Sequence, residues 1–162
     1  MADDNNAATL RSILRRCRRI AVVGLSNEWH RPSYFAAKYM IEHGYTCIPV
    51  NPKYEHILGQ RCYPSLRAAA QAAGPIDMVD CFRRSQDIEP IADEAIAIGA
   101  QCLWMQLTVR NETAADKARA AGLMVVQDRC VKIEHGRLFG GLGWMGVNTG
   151  LISSKRPRQL PY

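Results

Sequence analysis

A chain of 162 residues, 48% hydrophobic and 22% charged, has the balance of an ordinary globular domain with enough apolar material for a sizeable core. No apolar run approaches the ~18 residues of a membrane span, and the opening Met1-Ala2-Asp3-Asp4-Asn5-Asn6 is acidic and polar, unlike a secretory signal, so a cytoplasmic protein is expected. The formal net charge of +6 points to an anionic partner, but no helix-turn-helix, zinc-finger or RNP-type pattern accompanies it, which argues against nucleic acid.

In chain order, Leu10, Ile13, Leu14 and Cys17 follow i, i+3, i+4, i+7 and predict a helix over 8–17, capped by Thr9, with its arginines on a solvated face. Ile20–Gly24 reads as a first strand, apolar throughout as in a sheet covered on both faces. A polar loop follows, and Pro32-Ser33 opens a helix to about residue 43, stopped by Gly44. Tyr45–Val50 is a second strand ended by Asn51-Pro52, which completes a unit of βαβ length. Lys53–Tyr63 is a longer connection, and Pro64-Ser65-Leu66 starts a short helix through Ala72. Met78–Phe82 is a third strand. Ile88, Ile91, Ala92, Ala95 and Ile96 mark a helix that stops at Gly99.

Cys102–Leu107 is the fourth strand, Asn111–Ala121 a helix closed by Gly122, and Leu123–Val126 the fifth strand. Asp128–His135 is expected as a last helix, and Gly136–Tyr162 as an extended basic tail that wraps the domain or a neighbouring subunit. The fold class that follows is α/β: one Rossmann-like domain over residues 8–135, with a mainly parallel five-stranded sheet and helices on both faces. An N-terminal helix precedes it and the tail, 136–162, is not a separate domain. Six cysteines without any C-x-x-C predict reduced packing residues rather than a metal site or a disulfide framework.

Ligands of such sheets bind outside the carboxyl ends of the strands. Those ends carry Arg31, Lys53, Arg83, Arg84, Arg110 and Arg129. The loop after the first strand lacks the second and third glycines of G-x-G-x-x-G, and the second strand ends Val50-Asn51-Pro52-Lys53 without the acid that binds an NAD ribose. Lys53 there favours a ligand with an extra ribose phosphate, coenzyme A or NADP. The first loop suits a ligand lying across it, held by backbone N–H groups, the Ser26 hydroxyl and Arg31.

The ordered motifs Val22-Val23-Gly24-Leu25-Ser26, Gly44–Pro52, Gly59-Gln60-Arg61-Cys62-Tyr63-Pro64-Ser65-Leu66 and Phe82-Arg83-Arg84 are followed by Trp104-Met105-Gln106, Gly122–Val126 and Asp128-Arg129-Cys130. From about residue 10 to 135 this order resembles the small CoA-binding proteins of the YccU type, which are similar to the CoA-binding domain of the succinyl-CoA synthetase α subunit. The end of the chain, Asn148-Thr149-Gly150 with Ser153-Ser154-Lys155-Arg156, resembles the family's end as well.

The resemblance implies that Gly24, Leu25, Ser26 and the loop to Arg31 hold phosphates. It also implies that Val50, Asn51 and Lys53 meet the adenosine end, that Phe82 and Arg83 flank the nucleotide, and that Met105 and Gln106 line the path to the thiol. The loop departs from many relatives at Asn27-Glu28-Trp29-His30, and Glu28, unfavourable beside a phosphate, is expected to face solvent. No phosphohistidine or ATP-grasp partner is present. The expected function is therefore a stand-alone module that binds coenzyme A or an acyl-CoA to carry it, sense it or present it to a partner, with a protein partner or a homo-oligomer as the expected association.

The competing reading is an oxidoreductase using NADP or thiol exchange at Cys130. A helix start beside Arg129 would favour the Cys130 thiolate; the bland reading has Asp128 capping that helix and Cys130 packing. His43, next to Gly44, reads as a helix C-terminal residue, and His30 stands within reach of a ligand on the phosphate loop.

Overall fold

The computed structural model describes residues 5–140. Helix α1 (Ala7–Arg16) leads to strand β1 (Arg19–Val23), helix α2 (Pro32–Glu42) and strand β2 (Thr46–Val50). A hairpin of β3 (His56–Ile57) and β4 (Gln60–Arg61) then precedes α3 (Leu66–Ala73) and β5 (Met78–Cys81). The chain continues through α4 (Ile88–Ala97), β6 (Cys102–Met105), α5 (Glu112–Ala120), β7 (Met124–Val126) and α6 (Val131–Phe139).

Five parallel strands run in the order β2-β1-β5-β6-β7. Outside β2, Tyr63 makes a single parallel bridge to Val50, with Asn51 N–H donating to Tyr63 O at 2.9 Å and Tyr63 N–H to Pro49 O at 3.0 Å. That segment occupies the place of a third strand in the doubly wound order 3-2-1-4-5-6. The alternation of strand side chains divides the core in two. Ala21, Val23, Ile48, Val79, Leu103 and Val125 pack against α3, α4 and α5. Ile20, Val22, Cys47, Met78, Trp104 and Val126 pack against α1, α2 and α6. The expected α/β sheet with helices on both faces is therefore the fold observed.

Four local expectations are corrected. Asn6, not Thr9, caps α1; its side chain accepts the Thr9 N–H at 2.9 Å. The connection after β2 holds a hairpin whose two turn residues, Leu58 (φ 52°) and Gly59 (φ 72°), are both left-handed, the geometry that matches strand twist. Asp128 does not cap the last helix. It sits at φ 56° and its carboxylate accepts the Thr108 N–H at 2.7 Å, so α6 begins at Val131 with Cys130 at the N-cap position. α6 also runs beyond His135, because Leu138 extends the buried stripe of Val131, Glu134 and His135. Of the expected tail, residues 141–162 lie outside the described residues.

At the amino edge of the sheet the arginines are structural. Arg18 donates to Gly44 O at 3.1 Å and lies over the Tyr45 ring at 4.1 Å. Arg19 donates to Pro75 O at 2.7 Å and to Ala73 O. Near them His135 is buried between α2 and α6, with Tyr39 Oη 2.9 Å from its Nδ1 and the His43 ring at 5.1 Å. Burial, then His43 and Arg18, pushes its pKa down to about 4.

An unfolded histidine protonates near 6.5, so as pH falls through 6.5 toward 4 the unfolded chain gains a proton that the fold refuses, and stability is lost. A His135→Gln variant is expected to gain on the wild type by on the order of 1–2 kcal/mol over that window. Denaturant titrations at several pH values would check it, and a constant difference would reject the assignment.

Candidate functional site

The site lies where neighbouring strands β1 and β5 send their helices to opposite faces, α2 to one and α4 to the other. Gly24 closes β1 and its N–H donates to Val50 O at 2.9 Å, while Phe82 N–H donates to Val23 O at 2.9 Å. At φ 84°, Gly24 brings the loop against the β5 exit so closely that a Cβ would stand 2.3 Å from Phe82 O and 3.2 Å from Arg83 Nε.

Leu25 is a core residue, fully buried in the α1/α2/α6 layer. Ser26 N–H donates to Ser33 Oγ at 3.0 Å, and Ser26 Oγ accepts the Glu28 N–H at 3.1 Å. These bonds shape the loop so that α2 starts with Arg31 at the N-cap position, no side chain capping it, and Pro32 in the first turn. An uncapped helix start of this kind attracts an anion.

Glu28 is exposed, as expected, yet it is not idle. Arg31 Nε donates to its carboxylate at 2.8 Å, and His30 Nε2 lies 3.7 Å away. Arg31 foremost, then His30 and Lys53, holds Glu28 below the usual carboxylate range. An arriving anion must therefore compete with Glu28 for Arg31, whereas the sequence alone presents Arg31 as a free cation. Trp29 stands 72% exposed on the same loop.

Asn51 is buried at the end of β2 and both ends of its amide are occupied. Nδ2 donates to Leu25 O at 3.1 Å and Oδ1 accepts the Lys53 N–H at 3.0 Å. It joins the first loop to the second and sets the path of Pro52-Lys53. Lys53 is exposed and Arg83 half-buried, and among the described residues neither forms an ion pair.

Between the ends of β1 and β2 and helices α3 and α4 opens a cleft of about 300 Å³. Its walls are mainly apolar, from Val23, Val50, Pro52, Leu66 and Ile91, and Arg83, Asp87 and Glu94 add charged side chains to the lining. Phe82 is half-buried beside Arg83 and packs against the α1/α2/α6 layer. Leu66 and Ile91 belong to this wall although the sequence marks them only as a helix start and a core stripe. The Ser65 cap, whose Oγ accepts the Ala68 N–H at 3.1 Å, is the signal that places Leu66 at the strand-end edge.

At the end of β6, Met105 and Gln106 are buried. Gln106 Nε2 donates to Asp80 Oδ1 at 2.5 Å, and its Oε1 accepts the Val131 N–H at 3.4 Å, which ties the sheet to the start of α6. Asp80 is a buried carboxyl that the apolar reading of β5 passes over. Trp104 is fully buried, with Nε1 donating to Arg129 O at 2.8 Å, so it packs the sheet. Cys130 does stand at a helix start, but burial pushes its thiol up, outweighing the helix N–H groups of Ile133 and Lys132. That direction works against a thiolate. No helix among the described residues is long and apolar enough to cross a membrane.

The sheet order, the glycine at the first strand end and the cleft beside it define a Rossmann-like domain with its crevice at the topological switch point. The chain belongs to the CoA binding domain family, whose model matches residues 18–136. It is similar to the YneT protein of Bacillus subtilis (strain 168), 39% identical over 128 residues, covering 79% of this chain and 93% of that protein. Among solved structures it is similar to a protein of Pyrococcus horikoshii OT3, 40% identical with a TM-score of 0.80, covering 86% of this chain and 96% of the other. A Thermus thermophilus protein is 32% identical with a TM-score of 0.77, covering 83% of this chain and 99% of that one.

Proposed function

We propose that this protein binds coenzyme A or an acyl-CoA in the crevice above β1 and β5, as a module without ligase machinery of its own. The observation that carries the reading is the conjunction of a mainly apolar cleft with an uncapped helix start and two cations, Lys53 and Arg83, that form no ion pair among the described residues. Adenine enters the cleft between Val50, Leu66 and Ile91. The diphosphate crosses Gly24, Leu25 and Ser26 toward the start of α2, where Arg31 exchanges Glu28 for phosphate oxygen. Phe82 and Arg83 flank the nucleotide, and Lys53 faces the ribose phosphate. Met105 and Gln106, being buried, support the floor beneath the pantetheine arm.

Cellular placement in the cytoplasm and delivery of the thiol end to a protein partner or a second copy of the chain belong to the same proposal. Of the rival reading, thiol exchange at Cys130 is disfavoured because burial raises that thiol rather than lowering it, while NADP shares with CoA the extra ribose phosphate that Lys53 favours and is separated from it by titration.

Calorimetric titration with CoA, dephospho-CoA, NADP and NAD is the test. CoA is expected to bind, and Lys53→Ala to weaken it by about 1.5–3 kcal/mol, the worth of a charged hydrogen bond, while hardly changing dephospho-CoA. NADP binding without CoA binding would overturn the reading.

A further inference from the structure

Beside the first cleft lies a second, of about 460 Å³, under the β3–β4 hairpin, and the two share Pro52 and Pro64 in their walls. Its polar face comes from Tyr54, Glu55, His56 and Arg61. The local fold explains why these side chains gather there. Strand alternation sends Ile57, 1% exposed, into the α1/α2/α6 layer, so its neighbour His56 points the other way. Arg61 is the direct cross-strand partner of His56 and shares its face.

The hairpin is fastened to the end of β2 rather than hanging free. Cys62 N–H donates to Glu55 O at 2.7 Å, Cys62 Sγ–H to Asn51 O at 3.3 Å, and Asn51 N–H to Tyr63 O at 2.9 Å. Arg61 lies over the Tyr63 ring at 5.7 Å and forms no ion pair among the described residues. Arg61 is exposed, and a guanidinium presented in this way on an anchored hairpin is a fork for a phosphomonoester.

We propose that this second cleft seats the phosphate carried on the ligand's adenosine ribose, with Arg61 as its specificity-determining cation. The inference rests on the CoA reading above. With adenine against Val50 and Leu66, the ribose reaches the Pro52 rim that both clefts share, and a 3′-phosphate on it projects under the hairpin. Lys53 lies near enough to the first loop for Glu28 to feel its charge. Arg61, in the lining of the second cleft, is the second cation of the pair. Glu55, exposed in the same wall, opposes the phosphate and lowers affinity for it.

The test is calorimetric titration of wild type, Arg61→Gln, Arg61→Lys and Glu55→Gln with CoA, dephospho-CoA, adenosine 3′,5′-bisphosphate and AMP. Arg61→Gln is expected to weaken CoA and the bisphosphate by about 10- to 100-fold, as for a lost charged hydrogen bond, and to leave dephospho-CoA and AMP within about twofold. Arg61→Lys should keep part of the discrimination, and Glu55→Gln should tighten CoA severalfold without tightening dephospho-CoA. Circular dichroism confirms that each variant keeps the fold. Wild type that binds CoA while Arg61→Gln changes CoA and dephospho-CoA alike would overturn this inference and leave the CoA reading standing. Wild type that binds none of the four ligands overturns the CoA reading itself.

Discussion

Gly24→Ala is expected to destabilise the fold by about 2–5 kcal/mol and to abolish most ligand affinity in whatever fraction stays folded. Two costs add. An alanine held at φ 84° carries the left-handed penalty of about 1–2 kcal/mol, and its Cβ, 2.3 Å from Phe82 O, forces a backbone shift of the kind that costs about 1–3 kcal/mol in a packed interior. The atom in the way is a carbonyl at the end of β5, not a flexible side-chain tip. Relief therefore moves Phe82 and Arg83 away from the crevice and loosens the Phe82 N–H bond to Val23 O. Gly99→Ala supplies the control, because Gly99 has φ 73° but nothing within 4 Å of its Cβ position. Denaturant unfolding of both variants isolates the close approach. Equal losses at the two glycines would show that the strand end accommodates a side chain after all.

The parts of this molecule that can be read from residues alone are those where burial on both faces leaves an unbroken apolar run or stripe. Ile20–Val23, Cys47–Val50 and Cys102–Met105 are of that kind, and so is the α4 stripe through Ile88, Ala92 and Ala95. Parallel strands need no polar alternation, so their order along the chain is plain. What stays hidden depends on pairings between segments. Leu58-Gly59 lacks the Asn-Gly or Asp-Gly signature of its turn, so the hairpin that builds the second cleft reads as a plain connection. Glu28 and Arg31 are three residues apart in a loop, and only the fold shows that they bind each other. Asn51 stands at a strand end, and only the fold shows that its amide joins two loops. Asp128 has the composition of a cap, but its left-handed backbone and its bond to Thr108 move the helix start three residues on. Asp80 is the extreme case, since nothing in Met78-Val79-Asp80-Cys81 tells that the carboxyl is buried against the Gln106 amide.

That carboxyl carries the second large effect. Asp80 projects from β5 into the α1/α2/α6 layer, 2% exposed, and burial pushes its pKa up to about 7 although the Gln106 amide hydrogen bond pulls the other way. In the unfolded chain the group ionises near 3.8. Below that pH both states hold the proton and no stability is lost. As pH rises from about 4 through 7 the unfolded chain releases a proton that the fold retains, and stability falls. Asp80→Asn keeps an acceptor for Gln106 Nε2 and removes the charge. It is expected to match the wild type near pH 4 and to exceed it by about 2–4 kcal/mol at pH 8. His135 acts in the reverse sense, costing stability as pH falls from 6.5 toward 4. The two groups therefore oppose each other across the acid range, and each single variant tilts the stability curve in its own direction: Asp80→Asn gains on the wild type with rising pH, His135→Gln with falling pH. The double variant removes both tilts. An Asp80→Asn curve parallel to that of the wild type from pH 4 to 8 would mean that Asp80 ionises in the fold as readily as in the unfolded chain. In that case water or a charge reaches the group between β5 and α6.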